Sequence, residues 1–119
     1  MDEAALREKI VGVAQALDRA GFCPSKSGNV SARSGDGCLI TPSGLPYAAM
    51  QPGDIVAIDL RCKPRAGARR PSSEWPFHTT IYKARADAQA IVHTHSPMAT
   101  ARSLPRRSIS TMSPGCIAA

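Results

Sequence analysis

The chain has 119 residues, 43% of them hydrophobic, and a net charge of +6, which suits one domain with a modest core and leaves no room for a second. No apolar run approaches the roughly 18 residues of a membrane span, and the acidic start MDEAALREKI lacks the basic and apolar regions of a signal peptide, so the expected location is the cytoplasm. Arg102, Arg106 and Arg107 carry three of the positive charges in an acid-free end, and aromatics are only 4% of the chain, which weighs against a nucleic-acid surface built on basic and stacking side chains.

In chain order, Leu6, Ile10, Val13 and Leu17 recur at helical spacing, with Arg7, Glu8, Gln15 and Asp18 off the stripe. This predicts an amphipathic helix that Gly21 caps. GNVSAR and CLITP read as two strands of a hairpin joined by SGDG. A Pro- and Gly-punctuated connection, SGLPYAAMQPGD, leads to a third strand in IVAIDL. The basic segment RCKPRAGARRP reads as a solvated loop, with anion contact as the alternative. A stripe of Trp75, His78, Ile81, Tyr82 and Arg85 predicts a second helix starting near Ser73, and QAIVHTHS a fourth strand. Cys23, Cys38, Cys62 and Cys116 form no C-x-x-C pair and read as reduced thiols. Helix, strands, helix, strand is the order of an α/β layered domain. Beyond Ala101, Pro105 and Pro114 interrupt a stretch without periodicity, read as an irregular basic tail over 102–119 after a domain at 1–101.

Strand alternation puts His93 and His95 on one face, about 6.5–7 Å apart at Cα. That is close enough for both imidazoles to reach one metal ion, although two merely satisfied strand-end histidines fit the spacing equally. His78 reads as a helix-packing residue. Glu74, between a small-residue turn and bulky neighbours, suits general acid/base work, or simply a helix N-terminus that favours a carboxylate. SGN (Ser27 to Asn29), TPSG (Thr41 to Gly44) and PSS (Pro71 to Ser73) supply hydroxyl, amide and backbone N–H donors of the kind a phosphate monoester needs. Each alone is more often a turn.

Together and in order, SGNVSAR, LITPSGLPYAAMQPGDIVAIDL and PSSEWPFHTTIYKARADAQAIVHTHSP resemble the N-terminal part of the class II aldolase/adducin-head family. The resemblance implies a three-layer α/β/α fold around a mostly antiparallel sheet, and a homotetramer. It implies Zn2+ or another divalent metal held by three histidines, of which His93 and His95 match two, and Glu74 as the acid/base carboxylate. Gly28, Asn29, Thr41, Gly44, Ser72 and Ser73 match the positions that hold a sugar phosphate. The implied reaction is cleavage of a ketose phosphate such as L-fuculose 1-phosphate through a metal-stabilised enediolate. Glu after Ser-Ser favours an aldolase over a 4-epimerase, and the lack of Lys there counts against a decarboxylase; a dehydratase and a non-catalytic adducin-like assembly module are the further alternatives. No histidine follows His95, so the third ligand is absent, and the expectation is a truncated or frame-shifted chain with an unpaired sheet edge.

Overall fold

A computed structural model describes residues 2–60, 69–95 and 116–118. The basic-loop residues Arg61, Lys63 and Arg65, and most of the tail, lie outside them. Helix α1 runs Glu3–Arg19, and the Asp2 side chain accepts from the Ala5 N–H at 2.7 Å, which satisfies one orphan donor of its first turn. At the other end Gly21, with φ +83°, allows the Phe22 N–H to reach Leu17 O and the Gly21 N–H to reach Asp18 O. This is the paired closure that a left-handed residue after a helix makes possible, so the expected glycine cap is present.

Strands β1 (Asn29–Ser34) and β2 (Gly37–Ile40) form the predicted hairpin around Gly35-Asp36, with Ser34 opposite Gly37. Strand β3 (Val56–Asp59) pairs with β2, and β4 (Ala90–His93) pairs with the other side of β1. A fifth strand, β5 (Cys116–Ala118), lies antiparallel against β4, giving the order β3-β2-β1-β4-β5. All of the pairings are antiparallel. β5 falls within the stretch read as an irregular tail; three residues are too few to show an alternation, and their pairing partner is over twenty residues away. With β5 in place, β4 is paired on both sides.

Alternation along the strands divides the core. Val30, Ala32, Leu39 and Ala57 face α1 through Ile10, Val11 and Ala14, whereas Cys38, Ile40, Val56, Ile58 and Ile91 face the second helix, α2 (Trp75–Ala84), through Tyr82. The result is the expected three layers, helix, antiparallel sheet, helix. α2 starts at Trp75, just after the predicted Ser73, because Pro76 occupies an early helical position where its missing N–H costs nothing. Its far end is tied to β1 by Arg33, which donates to Ala88 O (2.8 Å), Tyr82 O and Arg85 O (both 2.9 Å) and covers the Tyr82 ring at 4.9 Å. Cys23 and Cys38 are buried free thiols, and burial pushes Cys38 up to about 11, which keeps it an inert thiol. No helix among the described residues is long and apolar enough to cross a membrane.

Candidate metal centre and phosphate pocket

The ends of β1 and β4 meet the start of α2 at one corner of the sheet. Asn29, the first residue of β1, is opposite His93, the last of β4. The Glu74 cap of α2 faces the same point, its Oε2 against His93 Nδ1. His95 follows the strand with its backbone N–H donating to Phe22 O at 3.0 Å, and its ring stands 4.7 Å from that of His93, tilted by 33°. Thr94, between the two histidines, is buried.

Ligand atoms of Glu74, His93 and His95 all lie within 4.8 Å of one another. His93 is 2% exposed, yet neither ring nitrogen has a hydrogen bond of acceptable geometry, despite the nearby carboxylate. A buried imidazole left in that state costs free energy of about 1–3 kcal/mol. Coordination to a cation would relieve the cost, and two imidazoles with a carboxylate are a donor set for a divalent metal of the zinc kind.

Beside this cluster lies a pocket of about 280 Å³ lined by three loops: Lys26 to Asn29, Pro42 to Leu45, and Ser72 to Glu74, with Tyr47 and His95. The second and third loops are far apart in sequence and are sewn together by backbone. Pro42 and Pro71 form an isolated antiparallel bridge, Ser72 N donates to Thr41 O at 2.9 Å, and Ser43 N donates to Arg70 O at 3.0 Å. Gly28, Asn29, Gly44, Ser72 and Ser73 line the pocket, but Thr41 does not. Its hydroxyl is spent on the Val30 N–H at 3.2 Å, and its own N–H donates to Val30 O at 3.0 Å, so it extends the hairpin and carries the loop.

Lys26, which the sequence reading passed over, is the cation among the described lining residues. Both it and Ser25 have positive φ, 62° and 55°, a conformation uncommon away from glycine. The motif-like SGN begins one residue later, and only the turn before it brings Lys26 to the pocket. Gly28 (φ +89°) closes that turn where a Cβ would meet His93 O at 2.8 Å and Cys23 Sγ at 2.9 Å. Gly28→Ala therefore combines left-handed strain with overpacking. It should destabilise the fold by about 2–4 kcal/mol, read from the urea midpoint, while alanine at Gly12, which meets nothing within 4 Å, leaves the midpoint unchanged or raises it.

His78, expected to pack the helix, does so while buried among polar partners. Burial first, and His93 second, lower its pKa from 6.5 to about 4, so it is neutral near pH 7. The depressed value means that the native state resists protonation, so His78 contributes its full stability above pH 6.5 and loses it as pH falls toward 4. Urea unfolding of the metal-free chain should show up to about 3 kcal/mol less stability across that window, and His78→Phe should remove this part of the slope.

The chain matches the family model of the class II aldolase and adducin N-terminal domain over residues 8–118. The likeness thus runs through 102–118, the stretch that the sequence reading had set apart. The chain is 44% identical over 109 residues to the 5-methylthioribulose-1-phosphate/5-deoxyribulose-1-phosphate aldolase of Escherichia coli O45:K1, covering 92% of this chain and 51% of that protein. It is 42% identical over 109 residues to the L-fuculose phosphate aldolase of E. coli K12, covering 92% and 50%. Among solved structures, YgbL of Klebsiella pneumoniae superposes with a TM-score of 0.83 at 30% identity, covering 89% of this chain and 51% of that one. The chain spans about half the length of the curated relatives it matches. A shared fold, a shared sequence over nearly the whole chain and a possible metal centre where the resemblance required one lead to one conclusion: this chain belongs to the class II aldolase and adducin N-terminal domain family.

Proposed function

We propose that this chain serves a zinc-dependent aldolase that cleaves a ketose 1-phosphate, L-fuculose 1-phosphate or a 5-deoxypentulose 1-phosphate being the substrates to try first. The observation that carries the reading is the adjacency of the Glu74, His93 and His95 group to a donor-lined pocket. One site would grip a charged metal and the other a phosphate, the two ends that such a substrate presents.

In this reading His93 and His95 hold the metal, which when bound supplies Lewis acidity to the substrate oxygens. Gly28, Asn29, Gly44, Ser72 and Ser73 receive the phosphate through side-chain and backbone donors, with Thr41 supporting the loop behind them. That remote binding energy orients the bond to be broken. Glu74 stands between the two sites and exchanges the proton at the carbon next to the carbonyl as the carbon–carbon bond breaks. The Phe77 ring packs beside His93, with centroids 6.1 Å apart.

Incubation with these ketose phosphates should release dihydroxyacetone phosphate, stop with a chelator and resume with added zinc. Absence of release from every substrate, with zinc bound, would contradict the reading and favour a non-catalytic assembly role. Lys26→Ala should weaken inorganic phosphate binding by about three- to tenfold, the range for one exposed charge-assisted contact. The effect should shrink at high salt, as followed by 31P NMR titration.

A further inference from the structure

Four side chains inside the molecule form one line of hydrogen bonds that ends at the pocket. Tyr82 OH lies 2.8 Å from Ser31 Oγ, which lies 2.7 Å from His78 Nδ1, and His78 Nε2 contacts Asn29 Oδ1. All four are buried: Tyr82 is 1% exposed, Ser31 and His78 0%, Asn29 4%. The line exists because two periods match. His78 and Tyr82 are one turn apart on α2, about 5–6 Å, and Asn29 and Ser31 are two residues apart on the facing side of β1, about 6.5–7 Å.

Its direction follows from the end of the Asn29 amide that faces His78, which here is Oδ1. A carboxamide oxygen only accepts, so His78 Nε2 carries a proton. A neutral imidazole has no second one, so Nδ1 is bare and accepts from the Ser31 hydroxyl. Ser31, having given its only proton, accepts from Tyr82 OH. The chain runs Tyr82 to Ser31 to His78 to Asn29 without an unpaired donor, each bond polarising the next. Asn29 lines the pocket, and with Oδ1 engaged inside, the group it has left for a ligand is its NH2.

From this geometry we infer that His78 is a positioning residue: by fixing the proton on Nε2 it turns the Asn29 amide so that its N–H donors face the pocket, and so sets the pocket for an anion. The opposite tautomer would donate from Nδ1 to Ser31 and accept at Nε2 from the Asn29 NH2. The carbonyl oxygen would then face the pocket and repel a phosphate. A histidine that touches no ligand thereby decides whether Asn29 attracts or rejects one. The orientation rests on the hydrogen bonds alone; its ligand rests on the phosphate reading above.

The test is long-range 1H–15N correlation on the 15N-labelled full chain near pH 7, with inorganic phosphate as probe. His78 should show a protonated Nε2 and a bare Nδ1, and this needs no substitution. His78→Phe, with no donor, should raise the phosphate dissociation constant about tenfold, the worth of one bond to a charged group. His78→Gln, whose amide can still donate to Asn29 Oδ1, should keep it within about threefold. A simple packing role predicts the reverse ranking, since Phe fills the space better. A protonated Nδ1 with bare Nε2 overturns the inference at any affinity. Protonated Nε2 in a chain that binds no phosphate overturns the phosphate reading and leaves the Asn29 orientation standing.

Discussion

Zinc affinity falls by more than about a hundredfold when His93 and His95 are both replaced by alanine, a larger loss than the 10–100-fold usual for residues that merely support a metal ligand. The physical reason is the state of His93. Its ring is almost fully enclosed, its nitrogens lack hydrogen bonds, and the ligand atoms of Glu74 and His95 are within 4.8 Å. The apo chain therefore bears a desolvation cost that metal removes, and the double variant has neither the cost nor the benefit. Two measurements follow. Isothermal titration gives the affinity, and thermal unfolding with and without zinc gives the stabilisation, which depends on free metal through mass action. The wild type should melt at higher temperature with zinc, whereas the variant should not respond. Equal binding by both proteins would place any zinc elsewhere and remove the metal centre from this corner of the fold.

Glu74→Gln lowers the rate of ketose phosphate cleavage by about 10²–10⁴-fold, the range for losing a positioned general acid or base. Glutamine keeps the shape and still occupies the cap of α2, but its amide cannot take up a proton. The Glu74 carboxylate lines the phosphate pocket but gives it no donor, so removal of its negative charge should leave inorganic phosphate affinity unchanged or raise it. Loss of the helix-end charge interaction costs less than about 1 kcal/mol, so a folded variant with a slow reaction is the expected outcome. The Glu74 side chain is 40% exposed and lines the pocket while its Oε2 meets His93. An unchanged rate would return it to the simpler role of a helix-end carboxylate.

The hairpin and α1 were legible because local rules decide them. Alternation in NVSAR and GCLI, the Gly35-Asp36 turn and the Gly21 cap each act within a few residues. His93 and His95 were legible as a pair from their spacing, although β4 ends at His93 and the bond from the His95 N–H to Phe22 O holds His95 just beyond it. Lys26 was not, because its place at the pocket depends on positive φ at Ser25 and Lys26, which no periodicity announces. Thr41 matched the phosphate-type motif by residue type, yet its hydroxyl goes to Val30 N. A motif names candidates, and competition from the backbone decides which of them are free to bind. β5 was missed because a strand of three residues owes its existence to its partner, β4.

By itself the sequence determined most of the element types and their layered order, which follow from local pattern, while its resemblance to the family implied the antiparallel sheet and residue chemistry named candidates for metal and phosphate. Only the tertiary structure decided which of them meet. The Pro42–Pro71 bridge joins two loops separated by the whole of β3, the start of α2 carries Glu74 to the end of β4, and the α2 face seats His78 between Ser31 and Asn29. These are long-range contacts, set by how helices and strands pack rather than by any single stretch. The burial that removes water from His93 and His78 comes from the same packing. It gives one an unmet need for a ligand and the other the orientation of Asn29.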